Sequence, residues 1–283
     1  MDGAQQRDNE QARLWNGPAG QAWVDAQAVL DRMFEPFEAM LVDAAAADGA
    51  HRVLDVGCGT GATTLAIARR LGETADCLGI DISQPMLALA RARAEQAAIP
   101  ARFVHADAQS HAFAPGRFDA IVSRFGVMFF DDPVRAFDNL RQAARAGGRL
   151  HVIAWRSPAE NPFMTTAERA AAPLLPDLPP RRPGAPGQFA FAERQHVERI
   201  LIESGWTDVD IRPLDVACSI PETALVPYLS RLGPVGLLLQ GADDRMRARV
   251  IETVRAAFEP YVHGSDVRFL AACWMVDART TKE

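Results

Sequence analysis

The feature that most constrains the fold is a glycine-rich stretch at residues 52–70, R-V-L-D-V-G-C-G-T-G-A-T-T-L-A-I-A-R-R. Its start is mostly apolar, as in a buried strand, and its apolar residues later recur at helical spacing. Between these parts, Gly57, Gly59 and Gly61 permit positive φ angles and let a ligand lie against the main chain. A helix that begins there presents unpaired N–H groups. The stretch therefore predicts a strand, a tight turn and a helix that together seat a nucleotide-like ligand.

The glycines alone leave the class of ligand open. Gly57, Gly59 and Ala62 also match the G-x-G-x-x-G/A fingerprint of dinucleotide-binding proteins. A nicotinamide-dependent oxidoreductase is therefore one interpretation of this turn.

Acidic residues follow the next two apolar runs. Residues 77–80 lead to Asp81, twenty residues beyond Gly61, where a carboxylate can accept two hydrogen bonds from a ribose diol. Residues 102–106 lead to Asp107 and Ala108, where an acid side chain and an N–H group can address an adenine edge. These acids strengthen the prediction of a nucleoside-containing ligand.

Four ordered motifs, D-V-G-C-G-T-G, G-I-D-I-S, H-A-D-A and F-D-A-I-V-S, resemble those of the class I S-adenosylmethionine-dependent methyltransferases across residues 52–155. The small-molecule branch that includes the ubiquinone and menaquinone methyltransferases is the most similar. An acid before the glycines and the pair after the third run follow the methyltransferase pattern and disfavour the dinucleotide one. The resemblance implies S-adenosylmethionine as cofactor. The implied cofactor-binding residues are Asp55, Gly57, Cys58, Gly59, Gly61, Asp81, Ile82, Met86, Asp107, Ala108 and Ser123.

The resemblance also implies an α/β fold, a Rossmann-like, doubly wound, seven-stranded and mostly parallel sheet whose last strand is antiparallel. Apolar periodicity predicts N-terminal helices and two further helices before the last strand. We expect an N-terminal helical lid at residues 1–50 and a methyltransferase domain at 51–283, with a helical cap insertion at about 222–262. Residues 173–187 contain six prolines and predict a stiff loop without an assigned role.

Aromatic and apolar residues mark the expected acceptor pocket. The segment W-N-G-P-A-G-Q-A-W resembles N-terminal helices that cover the ligands in relatives, although simple core packing is an alternative. The segment after the fourth strand lacks the acid or Asn followed by Pro-Pro-Tyr that amino-group methyltransferases often carry, which favours another acceptor. The expected pocket residues are Trp15, Trp23, Phe125, Met128 and Trp155. In the cap, the candidates are Leu225, Tyr228, Leu229, Leu232 and residues 237–239.

No residue stands out as a catalytic base. A sulfonium methyl is already electrophilic, so alignment and water exclusion carry most of the rate. His263 precedes the last strand and is a candidate base, with an exposed loop histidine as the alternative. Arg124 could hold an acceptor carboxylate or phenolate, or pair with an acid.

Composition excludes several classes of partner. The net charge is −6 and the arginines are scattered among acids, so nucleic acid is not expected as a substrate. No apolar run is long enough to cross a bilayer and the N-terminus lacks secretory features, so we expect a cytoplasmic protein. Four separated cysteines, with no histidine at ligand spacing, predict neither a metal site nor a disulfide framework.

We therefore expect methyl transfer from S-adenosylmethionine to an oxygen, nitrogen or carbon atom of a small, largely apolar or aromatic metabolite. A regulatory protein that binds the cofactor without transferring the methyl group remains the second interpretation. The oxidoreductase is the third. The oligomeric state is not predicted.

Overall fold

The computed structural model describes residues 10–182 and 184–281. The first nine residues of the expected lid, Pro183 of the proline-rich stretch and the last two residues of the expected domain lie outside this description. Within the described ranges, no helix is both long enough and apolar enough to cross a membrane.

Strands and helices alternate through the first part of the chain. Residues 10–16 are helical. They precede α1 (Pro18–Asp25), α2 (Gln27–Ala47), β1 (Arg52–Val56), α3 (Ala62–Leu71), β2 (Asp76–Asp81), α4 (Gln84–Gln96), β3 (Ala101–His105) and β4 (Phe118–Arg124). A short 3-10 turn (Val127–Phe129), α5 (Pro133–Ala143), β5 (Ala144–Trp155), α6 (Pro162–Ala171), α7 (Arg194–Glu203) and β6 (Thr207–Pro221) follow. The chain ends with α8 (Leu225–Arg231), α9 (Gly233–Leu239), α10 (Asp244–Ala257), β7 (Val262–His263) and β8 (Asp266–Arg279).

One mixed sheet organises the molecule. Its order is β3-β2-β1-β4-β5-β8-β6, with β7 paired to β8. Strands β1 to β5 run parallel, whereas β8 is antiparallel to both β5 and β6. The expected doubly wound α/β fold is confirmed, and β7 is a two-residue addition to the seven strands. Because the strand order reverses between β1 and β4, a ligand crevice is expected at their carboxyl ends.

The structure extends the predicted elements in two places. Strands β6 and β8 continue beyond their apolar runs because they pair with each other from Thr207 with Arg279 to Pro221 with Asp266. The insertion before β8 contains three helices where the periodicity predicts two. Leu232 lies between α8 and α9, and α9 begins at Gly233, which has a φ of 71°.

A buried charged group ties the end of α2 to the sheet. His151 on β5 bonds to Asp277 through Nδ1 at 2.6 Å and to Asp48 through Nε2 at 2.7 Å. Arg149 and Arg212 lie beside the same two acids. Burial alone would lower the pKa of His151, but the bonds to Asp277 and Asp48 outweigh it and raise that pKa. The protonated imidazole therefore stabilises the folded state.

We expect His151→Gln to lower the free energy of unfolding by about 2–3 kcal/mol at pH 6, since two charged hydrogen bonds are lost. A raised folded pKa contributes stability that is complete below the unfolded value of about 6.5 and is lost as pH rises through the folded pKa. The difference between wild type and variant should therefore shrink at alkaline pH in urea titrations. The exposed His51, changed to Gln, is the control. A difference that grows with pH would contradict this assignment.

Candidate functional site

A cavity of about 690 Å³ lies at the carboxyl ends of β1, β2 and β4. Its wall combines the N-terminal helices, the glycine-rich turn, the segment after β4, the proline-rich stretch and the α8–α9 part of the insertion. The cavity thus lies where the strand order reverses, and it is covered by segments from both ends of the chain.

The glycine-rich turn needs its first two glycines for different reasons. Gly57 has a φ of 67°, and a Cβ atom there would lie 2.6 Å from Cα of Gly126. The N–H groups of Gly57 and Cys58 donate to the carbonyl of Ile80 at 2.9 and 3.1 Å. At Gly59, with a φ of 54°, a Cβ would approach only Sδ of Met86, at 3.7 Å. Gly57 is therefore a packing contact, whereas Gly59 leaves the main chain open to a ligand.

Three of the implied cofactor residues are absent from the described cavity wall and instead make contacts within the protein: Asp55, Gly61 and Ser123. A Cβ at Gly61 would lie 2.9 Å from the Ala90 side chain. Asp55 accepts a hydrogen bond from Thr64 at 2.6 Å, and burial raises its pKa to about 6. The Ser123 hydroxyl donates to the carbonyl of Val56 at 2.8 Å.

The other implied cofactor residues all contribute to the wall: Gly57, Cys58, Gly59, Asp81, Ile82, Met86, Asp107 and Ala108. Asp81 accepts backbone hydrogen bonds from Gly59 at 2.7 Å and Ser83 at 2.8 Å. Burial raises the pKa of Asp81 in spite of these bonds. The Asp107 carboxylate accepts the N–H group of Gln109 at 2.8 Å. Both acids are thus oriented by the backbone at the predicted cofactor end.

The N-terminal helices are bonded to the loop that follows Asp81. The Ser83 hydroxyl donates to the carbonyl of Trp15 at 2.6 Å. The Asn16 side chain donates to the Ile82 carbonyl and accepts the N–H group of Gln84, both at 2.8 Å. Sequence reasoning did not single out Asn16, although it lies inside the W-N-G-P-A-G motif. The motif is therefore a docking element as well as a helix break.

Aromatic rings form another part of the cavity wall. Phe125 stacks on Trp155 with centroids 4.7 Å apart, and Phe34 of α2 lies 5.2 Å from Phe125, edge to face. Phe125 has a φ of 63°, uncommon for a bulky residue and typical of functional sites. Met128 receives the N–H of Trp155 on its sulfur. All five expected pocket residues line this cavity: Trp15, Trp23, Phe125, Met128 and Trp155.

The two candidate catalytic residues are far from equivalent. Arg124 lines the cavity and donates to the carbonyl of Phe34 at 3.3 Å. Burial lowers its pKa, and the nearby acids Glu38 and Asp31 oppose that effect. His263 is exposed on β7, where its backbone is in register with Asp266 of β8. It is absent from the described cavity wall. Of these two residues, Arg124 alone contributes to the described wall.

The insertion supplies much of the cover. Tyr228, Leu229, Leu232, Leu237 and Leu238 line the cavity, whereas Leu225 and Leu239 are buried in the core. Sequence reasoning missed Phe163, Met164 and Phe258 in the wall and the role of the proline-rich stretch. Gly187 in that stretch donates to the carbonyl of Met128 at 3.0 Å. No periodic signal marks a loop that closes a cavity.

The sheet order, the glycine-rich turn and the two oriented acids define a Rossmann-like methyltransferase class. Residues 53–148 match the family model described as methyltransferase domain. The chain therefore contains a class I S-adenosylmethionine-dependent methyltransferase domain.

One named curated relative agrees with this class, and solved structures share its fold. The chain is 37% identical over 122 residues to a demethylmenaquinone methyltransferase of Thermus thermophilus, covering 43% of this chain and 55% of the relative. The chain thus spans little more than half the length of the first curated relatives that it matches. Among solved structures, the YcgJ protein of Bacillus subtilis has a TM-score of 0.57 and 17% identity, covering 87% of this chain and 98% of that one. The [4+2]-cyclase SpnF has a TM-score of 0.51 and 22% identity, covering 86% and 81%.

Proposed function

We propose that this protein transfers a methyl group from S-adenosylmethionine to a small, largely apolar or aromatic metabolite. The observation that carries the proposal is the composition of one cavity wall, which combines the glycine-rich turn and two oriented acids with several aromatic rings. Such a cavity can hold a donor and an acceptor side by side.

The residues at the glycine end fit the cofactor. Gly59 leaves its backbone open, Asp81 can accept hydrogen bonds from a ribose diol, and Asp107 and Ala108 can address adenine. Met86 offers an apolar contact for the nucleoside. When bound, S-adenosylmethionine supplies an electrophilic methyl group on a sulfonium.

The protein itself then has to cover the cofactor and the acceptor, align them for transfer and exclude water. We infer that helices up to Ala47 act as a lid, because Asn16 and Trp15 are bonded to the loop after Asp81. The insertion at 222–262 acts as a cap on the acceptor side. Arg124 is the charged residue that we assign to acceptor positioning near the transfer site. We assign no base role to His263, which is exposed and absent from the described wall.

Three observations support the acceptor class. The aromatic wall of Phe34, Phe125 and Trp155 suits a flat ring. The net charge of −6 disfavours nucleic acid. The name of the Thermus relative, a demethylmenaquinone methyltransferase, points the same way. Because a cyclase has the same fold, the reaction must be tested directly.

A thermal melting assay tests the cofactor. S-adenosylmethionine at 100 times its Kd should stabilise the protein by about 2.7 kcal/mol, a rise in Tm of several degrees. NAD and NADP should leave Tm unchanged. A shift with NAD alone would favour the oxidoreductase and would refute the proposal.

Transfer is tested with methyl-tritiated S-adenosylmethionine and a panel of phenols, naphthols and hydroquinones. We expect labelled product from at least one aromatic acceptor. A melting shift without labelled product from any member would favour the regulatory interpretation.

A further inference from the structure

A tyrosine in the cap contributes to the cavity wall, and its hydroxyl has a weak partner. Tyr228 on α8 contributes to the wall, and its ring lies 6.3 Å from that of Phe163. Its hydroxyl donates to Sδ of Met164 at 3.8 Å. A thioether sulfur is a weak acceptor. The sulfur therefore satisfies the phenol O–H only weakly, and an oxygen atom of a bound molecule would be a stronger acceptor.

The surroundings of the hydroxyl keep it a donor. Leu229, Leu232 and Phe258 line the same part of the wall. Burial raises the pKa of Tyr228 to about 12, so the phenol stays protonated at neutral pH. A phenol in such a setting normally finds a partner, because an unsatisfied polar group costs free energy.

Besides Arg124, two arginines contribute to the cavity wall, one of them paired with an acid and the other exposed. Arg181 binds both carboxylate oxygens of Glu168, at 2.6 and 2.8 Å. Arg181 also lies over the ring of Phe189. Arg231 is exposed at the rim. The cap therefore presents a neutral donor in an apolar environment, which suits a neutral oxygen better than a charged group.

We propose that Tyr228 is a substrate-binding residue that donates its O–H to a hydroxyl or carbonyl oxygen of the acceptor. The acceptor is then an aromatic molecule with an oxygen substituent that lies beneath the cap. This inference rests on the proposed function and narrows its acceptor class.

Paired probes test the assignment. Binding of 2-naphthol and naphthalene is measured by calorimetry for wild type and Tyr228→Phe, with saturating S-adenosylhomocysteine. We expect Tyr228→Phe to weaken the binding of 2-naphthol about fivefold, the value of one neutral hydrogen bond, and to leave the affinity for naphthalene unchanged. Equal losses for both probes, or none, would overturn the proposal, because a packing role affects the two rings alike.

The other tyrosine of the chain is a matched control. Tyr261 packs against Phe163 and Phe258 but is absent from the described wall. Tyr261→Phe should leave both affinities unchanged, and selective loss of 2-naphthol in this variant would also overturn the assignment. Failure of both probes to bind wild type would refute the aromatic acceptor. The S-adenosylmethionine affinity of Tyr228→Phe should equal that of wild type, which separates this inference from cofactor binding.

Discussion

Gly57→Ala is expected to lower the free energy of unfolding by about 2–5 kcal/mol and to abolish cofactor binding. An L-residue at a φ of 67° costs roughly 1–2 kcal/mol. The added Cβ would lie 2.6 Å from Cα of Gly126, and overpacking adds about 1–3 kcal/mol. Movement of Gly126 away from this contact would strain the bond that its N–H group donates to the Ser123 hydroxyl at 3.2 Å. Urea denaturation and calorimetric titration with S-adenosylmethionine measure the two effects.

Gly49→Ala is the matched control for this prediction. Gly49 has a φ of 62°, but nothing lies within 4 Å of the position that a Cβ would take. We expect Gly49→Ala to lower the free energy of unfolding by about 1–2 kcal/mol, the cost of the positive φ alone, and to leave cofactor affinity unchanged. Equal losses in the two variants would show that the contact with Gly126 contributes nothing.

Asp81→Ala is expected to weaken S-adenosylmethionine by about 1–3 kcal/mol, because polar groups of the ligand would lose a buried partner. The same carboxylate receives the N–H groups of Gly59 and Ser83, so the variant also loosens the turn. Asp81→Asn keeps the shape and one acceptor oxygen and should give a smaller loss. Calorimetric titration of each variant gives the affinities.

An acid at the other end of the same strand provides the control. Asp76 begins β2 and pairs with Arg117 at 2.9 Å and with Arg102. These partly exposed pairs contribute little to stability. Asp76→Ala should leave cofactor affinity unchanged. Unchanged affinity in Asp81→Ala would remove Asp81 from the cofactor site.

The local elements near the glycines were predictable because short-range rules control them. The apolar run before Gly57 specifies a buried strand, and alternate glycines specify a turn. The motif order then placed Asp81 and Asp107 after successive strands. Parallel strands bring their carboxyl ends to one edge, so both acids were expected there, where the structure places them.

Individual roles within the motif were less predictable. Gly57, Gly59 and Gly61 look alike in sequence, yet one meets Gly126, one faces the cavity and one packs on Ala90. Asp55 and Ser123 were grouped with the cofactor residues, but their side chains are bonded to Thr64 and to the Val56 carbonyl. Only neighbours from other strands and helices distinguish these positions.

The sequence by itself determined the fold class and predicted the cofactor end, because strand, turn and helix preferences act over a few residues and the motifs follow in order. The tertiary structure decided which distant side chains share the cavity. Phe34, Trp155, Gly187 and Tyr228 share its wall only through the packing of α2, β5, the proline-rich stretch and α8. No local periodicity encodes such a meeting, because it depends on how the elements are arranged in three dimensions and not on their spacing along the chain.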